Sequence, residues 1–227
     1  MKISVIIPSF NEEKTILEII KKVKDQKVFD LKKEVIVVDD GSMDNSYNLL
    51  RQIDGIILLR HEKNMGKGFA IRTGLKKASG DVVIIQDADL ELSPEDYPSL
   101  IEPILKHGAQ VVYGSRLLGR KNVKHGLIYY SGGRFVTFAA NFLYNLNLTD
   151  EPIGYKVFRR ELLLNLNLEC KRFEFCPEVT AKIAKKKIKI YEVPVKYFPR
   201  SVQEGKKLRM GDGLEALWTL IKYKFKN

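Results

Sequence analysis

The 227-residue chain has only two cysteines, Cys170 and Cys176. Their separation matches neither a redox motif nor a zinc-binding motif. A disulfide-stapled scaffold is therefore excluded, and so is a zinc site built from cysteine pairs. Such sparse cysteine usage is typical of a protein in the reducing cytoplasm.

Long apolar runs are also lacking. The longest ones, such as VIIP and VVII, are far shorter than the roughly 18 to 20 residues that cross a bilayer. Residues Met1 to Pro8 have a strand pattern without the flanking residues of a signal peptide. We therefore expect no membrane-spanning helix and a location in the cytoplasm.

Acidic residues are outnumbered by basic ones. The chain has 39 Lys and Arg against 28 Asp and Glu, which gives a net charge of +11. This excess predicts an anionic partner. Charge alone leaves three classes of partner open, namely nucleic acid, an anionic membrane surface and phosphorylated small substrates.

The apolar residues that are present alternate between strand and helix patterns. At 227 residues and 44% hydrophobic content, the chain fits a single domain spanning residues 1–227. Strand patterns occur in ISVIIP, EVIVVDDGS, DGIILLRHE and DVVIIQDAD, and helical patterns in NEEKTILEIIKKVKDQ and KGFAIRTGLKKASG. Repeated strand–helix–strand units predict an α/β fold, with a mostly parallel sheet flanked by helices.

The second half is less regular. AQVVYGSR predicts another strand, and residues Ile188 to Arg200 predict a late strand broken by Pro194 and Pro199. Two segments have apolar residues at helical spacing, Phe135, Phe138, Ala139, Phe142, Leu143 and Leu146 in one and Leu214, Leu217, Trp218, Ile221 and Phe225 in the other. Such faces either pack on a core or lie in a membrane interface, and the aromatic residues and nearby Lys222, Lys224 and Lys226 favour the interface.

Polar clusters follow the predicted strands of the first half. They comprise Ser9 to Glu13, Asp39 to Ser42, Asn64 to Lys67 and Asp87 to Glu91. In a parallel α/β sheet, ligands bind outside the carboxyl ends of the strands. We therefore expect these four clusters to line one crevice.

The last of these clusters contains Asp87, Asp89 and Glu91 at alternate positions. Side chains two residues apart in an extended segment point the same way. The carboxylates would then repel one another unless a cation lay among them, and hard oxygen ligands suit Mg²⁺ or Mn²⁺. An isolated D-x-D sequence is weak evidence, because it also occurs for structural reasons.

Taken together, IIPSFNEE, VVDDGSMD, NMGKGFA and QDADLE resemble the motifs of the family 2 glycosyltransferases, whose fold is called GT-A. YGSR, LYNLNLTDEPIGYKVFRRE, RFEFCPEVTAK and RSVQEGKKLRMGDG resemble the later motifs of its polyprenyl-phosphate sugar synthases, which include the dolichyl-phosphate mannose and glucose synthases. The chain departs from that pattern at Ile153, where Ser or Thr is usual.

The resemblance implies a set of site residues. Contacts to the nucleotide sugar are implied for Pro8, Phe10, Glu12, Val38, Asp40, Asp87, Ala88, Asp89, Arg116, Arg200 and Lys206. The metal ligands are implied to be Asp87, Asp89 and Glu91, with Asp87 nearer the nucleotide, and the catalytic residues to be Asp89, Arg116, Asp150 and Arg200. The role of Asp150 is open between acceptor positioning, general base and helix-end cap.

The resemblance also implies a reaction. It is the inverting, Mg²⁺- or Mn²⁺-dependent transfer of a hexose from GDP-mannose or UDP-glucose to a polyprenyl phosphate, by a peripheral protein on the cytoplasmic face of the membrane. Residues 1–118 would bind the nucleotide sugar, and residues 119–227 would bind the acceptor and supply the amphipathic helices. The sequence does not distinguish the donor base or sugar.

Two alternatives follow from the sequence. Transfer to a saccharide hydroxyl would need a general base, whereas a phosphate acceptor already carries a negative oxygen near neutral pH. The Q-x-x-R-W signature of chain-building polysaccharide synthases is also absent. A basic nucleic-acid-binding module is weakly supported, because the sequence contains no recognised motif of that kind.

Overall fold

A computed structural model of the chain describes residues 1–119, 127–200, 207 and 210–226. Within these residues one sheet contains strands β1 (Lys2–Ser9), β2 (Lys32–Asp39), β3 (Ile57–Arg60), β4 (Val82–Ile85), β5 (Val111–Ser115), β6 (Lys156–Arg159) and β7 (Ile190–Pro194). Their order is β3-β2-β1-β4-β6-β5-β7. Strand β6 runs antiparallel to β4 and β5, and the other pairs are parallel. The predicted α/β fold is confirmed.

Helices cover both faces of the sheet. They are α1 (Ile16–Asp25), α2 (Ser46–Leu50), α3 (Lys67–Lys77), α4 (Tyr97–His107), α5 (Leu127–Tyr144), α6 (Arg160–Asn165), α7 (Phe175–Lys185) and α8 (Met210–Phe225). One buried cluster joins α1 and α4 to the sheet, and a second joins α3, α6 and α7 to its other face. Strand β1 sends Ile3, Val5 and Ile7 to the first cluster and Ile6 to the second. Its apolar run is continuous because both of its faces are covered.

Helices α5 and α8 pack against each other beyond the edge of the main core. Val136, Ala140 and Leu220 form a small buried cluster between them, and the Tyr144 hydroxyl donates to the Leu220 carbonyl oxygen at 2.7 Å. The inner sides of both predicted helices therefore pack as core. Their outer sides carry exposed aromatic residues, and contact of these sides with a membrane interface stays a prediction.

The sequence analysis missed strand β6, as it did helices α2, α4, α6 and α7. The strand has four residues, and Val157 and Phe158 are fully buried on opposite faces of the sheet. A segment of four residues is too short to show a periodic pattern of apolar residues, so only its pairing with β4 and β5 defines it as a strand.

The predicted late strand ends at Pro194, as expected for a residue without a backbone N–H. In the part of the chain that the structure describes, no helix is both long and apolar enough to cross a membrane.

Candidate active site

A cavity of about 800 Å³ lies at the carboxyl ends of β1, β2, β4 and β5. Strand β1 lies between β2 and β4, so the chain connections diverge from it in opposite directions, which is where open α/β sheets bind ligands. All four predicted polar clusters contribute to the wall, through Ser9, Phe10, Glu12, Asp40, Asn64, Gly66, Lys67, Asp87, Ala88, Asp89 and Glu91. The prediction of a single crevice is confirmed.

The start of α3 is held against the cavity by backbone contacts. The N–H groups of Gly68 and Phe69 donate to the carbonyl oxygens of Arg172 and Lys171 at 3.0 and 2.9 Å. Gly66 has a φ of 97°, and a Cβ there would lie 2.3 Å from the Lys171 carbonyl oxygen. Glycine is therefore required at residue 66 both by the backbone conformation and by the lack of space.

Asp40 organises the loop between β3 and α3. Its carboxylate accepts hydrogen bonds from the N–H groups of Met65 and Gly66 at 2.9 and 2.7 Å and lies 2.6 Å from the His61 ring. Asp40 also lines the cavity beside Pro8, Phe10 and Glu12. Its oxygens already have these partners, and its contact with a nucleotide stays a prediction. No local sequence pattern pointed to His61 as a partner of Asp40.

Val38 does not lie where the resemblance implied. Its side chain is fully buried in the cluster that joins α3 to the sheet, and it is absent from the described residues that line the cavity. The reason is the alternation of side chains along β2, which turns Val38 toward Gly74 of α3. Packing explains this residue, and a direct contact from its side chain to a nucleotide sugar does not fit the structure.

The acidic cluster Asp87, Asp89 and Glu91 follows β4 in a turn. The strand ends at Ile85, and Leu90 has a left-handed φ of 62°. The Asp89 carboxylate accepts from the Glu91 N–H at 3.1 Å. The acids therefore lie close together because the chain turns, and the expectation of an extended segment was wrong. Burial and the nearby carboxylates of Asp87 and Glu91 raise the pKa of Asp89 to about 7.

Each acid of the cluster has a partner. The Lys67 ammonium lies 2.5 Å from Asp87, and the Arg200 guanidinium lies 3.0 Å from both Asp89 and Glu12. Glu91 accepts from the Arg200 N–H at 2.9 Å and from the Tyr197 hydroxyl at 2.8 Å. Cations and donors from distant parts of the chain thus neutralise these carboxylates.

The donor chemistry of the acidic cluster fits a divalent cation. Carboxylate oxygens suit Mg²⁺ or Mn²⁺, and burial together with the carboxylates of Asp87 and Glu91 raises the pKa of Asp89. Within the described residues, however, no three His, Cys, Asp or Glu side chains converge on one point, because Glu91 faces Tyr197 and Arg200. A cation would have to replace Arg200 beside Asp89, and the ligand set stays a prediction.

Arg116 and Asp150 form a closely held pair beside the same cavity. The guanidinium donates to both Asp150 oxygens at 2.7 and 2.6 Å, and the Arg116 N–H donates to Asp150 at 2.9 Å. Burial opposes the Asp150 charge, but Arg116 lowers the pKa of Asp150 overall. Glu192 of β7 accepts from the N–H groups of Thr149 and Asp150 at 2.8 and 3.1 Å. Asp150 therefore holds Arg116, an arrangement unsuited to a general base.

Ile153 and Lys206 are the two remaining positions that the sequence analysis singled out. Ile153 is buried in the core, with 1% of its surface exposed, so the side chain that replaces the usual hydroxyl packs against apolar neighbours. Lys206 lies outside the described residues. Its neighbour Lys207 is described, and its ammonium lies 2.6 Å from Glu12 and also binds the Phe10 carbonyl oxygen. Sequence reasoning missed Lys207, although RSVQEGKKLRMGDG contained it.

Comparisons with known proteins agree with this architecture. The glycosyl transferase family 2 profile matches residues 4–166. A UDP-N-acetylglucosamine–dolichyl-phosphate N-acetylglucosaminyltransferase of Methanococcus voltae is 32% identical over 92% of this chain and 91% of its own length. A dolichol-phosphate mannosyltransferase of Pyrococcus furiosus is 31% identical over 91% of this chain and 59% of its own length. The structure of glucosyl-3-phosphoglycerate synthase from Mycobacterium tuberculosis shares the fold, with a TM-score of 0.74, 24% identity and coverage of 98% of this chain and 79% of its own.

Proposed function

Because the chain belongs to glycosyl transferase family 2 and is a glycosyltransferase, we propose that it transfers a hexose from a nucleoside-diphosphate sugar to a polyprenyl phosphate at a membrane surface. The observation that carries the proposal is a fixed arginine, Arg116, in the same cavity as the acidic cluster. The names of the relatives from Methanococcus voltae and Pyrococcus furiosus, which specify dolichyl or dolichol phosphate, support the acceptor class.

The donor would occupy the end of the cavity formed mainly by residues 1–118. Pro8, Phe10, Glu12 and Asp40 line the part assigned to the base and ribose, where carboxylates can accept from ribose hydroxyls. Asp89 and Glu91 would hold Mg²⁺ or Mn²⁺ near Ala88, and the bound metal would supply positive charge to the leaving diphosphate. Arg200 and Lys207 already lie beside Glu12 and would donate to phosphate oxygens.

The acceptor would occupy the end formed mainly by residues 119–227. Its phosphate would bind Arg116, a residue of the first half for which the resemblance implied a contact to the nucleotide sugar. Arginine binds phosphate through paired N–H groups, and Asp150 fixes the orientation of this guanidinium. A phosphate monoester is largely ionised near neutral pH, so the acceptor needs no general base. The engaged oxygens and lowered pKa of Asp150 favour a phosphate acceptor over the alternative, a saccharide hydroxyl.

The transfer would be a single displacement. An acceptor phosphate oxygen attacks the anomeric carbon as the bond from that carbon to the donor diphosphate breaks, and the diphosphate leaves with the electron pair. Positive charge develops on the sugar ring in the transition state. The attack takes place opposite the leaving group, so an α-linked donor yields a β-linked product without a covalent enzyme intermediate.

Labelled donors test the proposed reaction. GDP-mannose, UDP-glucose and UDP-N-acetylglucosamine would each be incubated with the protein, Mn²⁺ and a polyprenyl phosphate. We expect the label of one donor to move into the organic phase. A reaction without lipid is the matched control. Label appearing only in a water-soluble saccharide would support the hydroxyl acceptor instead, and absence of transfer from every donor would contradict the proposal.

The outer face of α5 and α8 supports a membrane location. It consists of Phe135, Phe138 and Phe142 on α5 and Leu214, Trp218, Ile221 and Phe225 on α8, with 79% of Phe142 and 80% of Phe225 exposed. The N-terminal halves of the same helices line the cavity through Gly132, Gly133 and Gly213. Aromatic residues beside lysines are typical of helices that lie in a membrane interface. An anionic bilayer against this face would bring a lipid phosphate to the cavity while the lipid tail stays in the membrane.

Loss of lysine charge at this face should weaken membrane binding. With Lys222, Lys224 and Lys226 changed together to Gln, we expect binding to anionic liposomes to fall at least about tenfold at low salt, since each lysine near such a surface contributes on the order of 1 kcal/mol. Liposome co-sedimentation measures the effect. Exposed Lys14, Lys21 and Lys27, changed to Gln, remove the same charge from the side of the sheet that carries α1. An equal loss in both triple variants would contradict the location of the membrane face.

A further inference from the structure

Lys67 is a partly buried cation whose position in the cavity is set by the fold. It is the first residue of α3, and its side chain is 19% exposed, with its ammonium 2.5 Å from Asp87. The ion pair with Asp87 holds the Lys67 ammonium in the same cavity as Asp89 and Arg200.

The space around the Lys67–Asp87 pair requires a glycine on the neighbouring loop. A Cβ at Gly154 would lie 2.2 Å from one Asp87 oxygen and 3.4 Å from the Lys67 ammonium. The other end of Lys67 is fixed by α3, because the next two backbone N–H groups donate to the carbonyl oxygens of Arg172 and Lys171. Lys67 is thus held at both ends, unlike a solvated surface lysine.

The acidic cluster lies between Lys67 and Arg200. Lys67 pairs with Asp87, and Arg200 pairs with Asp89. An ammonium has three N–H donors, and among the described residues the ion pair of Lys67 is with Asp87. The ammonium therefore retains donors for a ligand in the cavity. Oxygens of a diphosphate are suitable acceptors, because charge-assisted hydrogen bonds are stronger than neutral ones.

We infer that Lys67 is a further residue that binds the nucleotide sugar, with its ammonium donating a hydrogen bond to an oxygen of the diphosphate. This inference rests on the proposed reaction. Asp87 is the positioning residue for Lys67 and lies outside the direct metal ligands. The acidic cluster then has two roles. Asp87 orients the Lys67 ammonium toward the diphosphate, and Asp89 and Glu91 bind the metal. The role of Asp87 also accounts for the exclusion of a side chain at Gly154, because a Cβ there would displace Asp87 from this pair.

Equilibrium titration with GDP and UDP in the presence of Mg²⁺ tests Lys67. We expect Lys67→Met to weaken binding of the preferred nucleoside diphosphate roughly 10- to 100-fold, the loss of one charge-assisted hydrogen bond, while binding of the free nucleoside stays within about twofold. Lys67→Arg keeps the charge and should retain most of the affinity. The matched control is Lys63→Met, because Lys63 is exposed on the same loop and lies outside the described cavity lining.

Unchanged diphosphate affinity in Lys67→Met would overturn the inference and leave the proposed reaction intact. If the wild type bound neither GDP nor UDP, the proposed donor class and the inference would both fail. Thermal unfolding measures the folded fraction of each variant, and each affinity is then calculated for the folded molecules only. If Lys67→Met weakened binding of the nucleoside and the diphosphate equally, Lys67 would be only a structural residue.

Binding of Mn²⁺ tests the role of Asp87 separately. Titration followed by electron paramagnetic resonance should show that Asp87→Asn changes Mn²⁺ affinity by less than about threefold, whereas Asp89→Asn lowers it at least about tenfold, as expected for loss of a direct carboxylate ligand. Equal losses in the two variants would place Asp87 among the metal ligands and overturn its assignment as a positioning residue. The readout needs no donor, acceptor or turnover.

Discussion

Replacing Asp89 by Asn should lower turnover at least about a hundredfold, a loss of about 2.7 kcal/mol of transition-state stabilisation. Asn keeps the shape of the side chain and removes the charge. Burial, followed by the nearby charges of Asp87 and Glu91, raises the pKa of Asp89 to about 7. A cation placed there would relieve this repulsion and neutralise charge on the leaving diphosphate.

Steady-state kinetics at saturating Mg²⁺ or Mn²⁺ measures the effect of Asp89→Asn. Asp54→Asn is the matched control, because Asp54 is exposed and lies outside the described cavity lining. Removal of divalent cations with EDTA should abolish wild-type turnover, and added Mn²⁺ should restore it. Full activity of Asp89→Asn, or wild-type turnover that persists in EDTA, would show that the acidic cluster does not hold a catalytic metal.

Changing Arg200 to Ala should reduce kcat/KM about a hundredfold or more. Arg200 links Glu12 and Asp89, at 3.0 Å from each, with 15% of its side chain exposed. A metal at Asp89 would take over the charge that Arg200 now neutralises, which frees the guanidinium to bind the diphosphate. Removal of one preorganised donor for transition-state charge costs roughly 100- to 1,000-fold in rate.

The effect of Arg200→Ala on folding should be smaller than its effect on catalysis when both are measured at saturating Mg²⁺. The added cation replaces part of the positive charge that the variant lacks, so the thermal midpoint should fall only a few degrees, about 1 kcal/mol. Arg51→Ala serves as the exposed control. A large fall in the midpoint with unchanged turnover per folded molecule would identify Arg200 as a structural residue.

Local patterns were sufficient to predict most of the sheet and the position of the cavity. Strand β4 is a continuous apolar run and β1 contains the run VIIP, and the polar clusters that follow these strands line the same cavity. Both features depend on neighbouring residues and on the common direction of parallel strands. The acidic cluster was recognisable for the same reason, although a turn and not an extended segment brings its members together.

Residue partners could not be predicted in this way. The sequence left Asp150 open among three roles, and its pairing with Arg116, 34 residues away, favours positioning of that arginine. Val38 resembled a nucleotide contact by its place in a motif, but its direction on β2 turns it into the core. Lys67 belongs to the motif NMGKGFA, which by itself indicates no role for it. The tertiary structure indicates one by placing Asp87 and Gly154 around its side chain.

The sequence by itself determined the α/β class, the strand ends that bear polar side chains and the apolar character of the two amphipathic helices, because these properties follow from residue order over short distances. Only the tertiary structure decided which cation meets which acid. Arg200 reaches Asp89 across 111 residues of chain, and β6 enters the sheet antiparallel between β4 and β5. Such contacts depend on strand order and helix packing, because each places residues side by side that have no local relation in the chain.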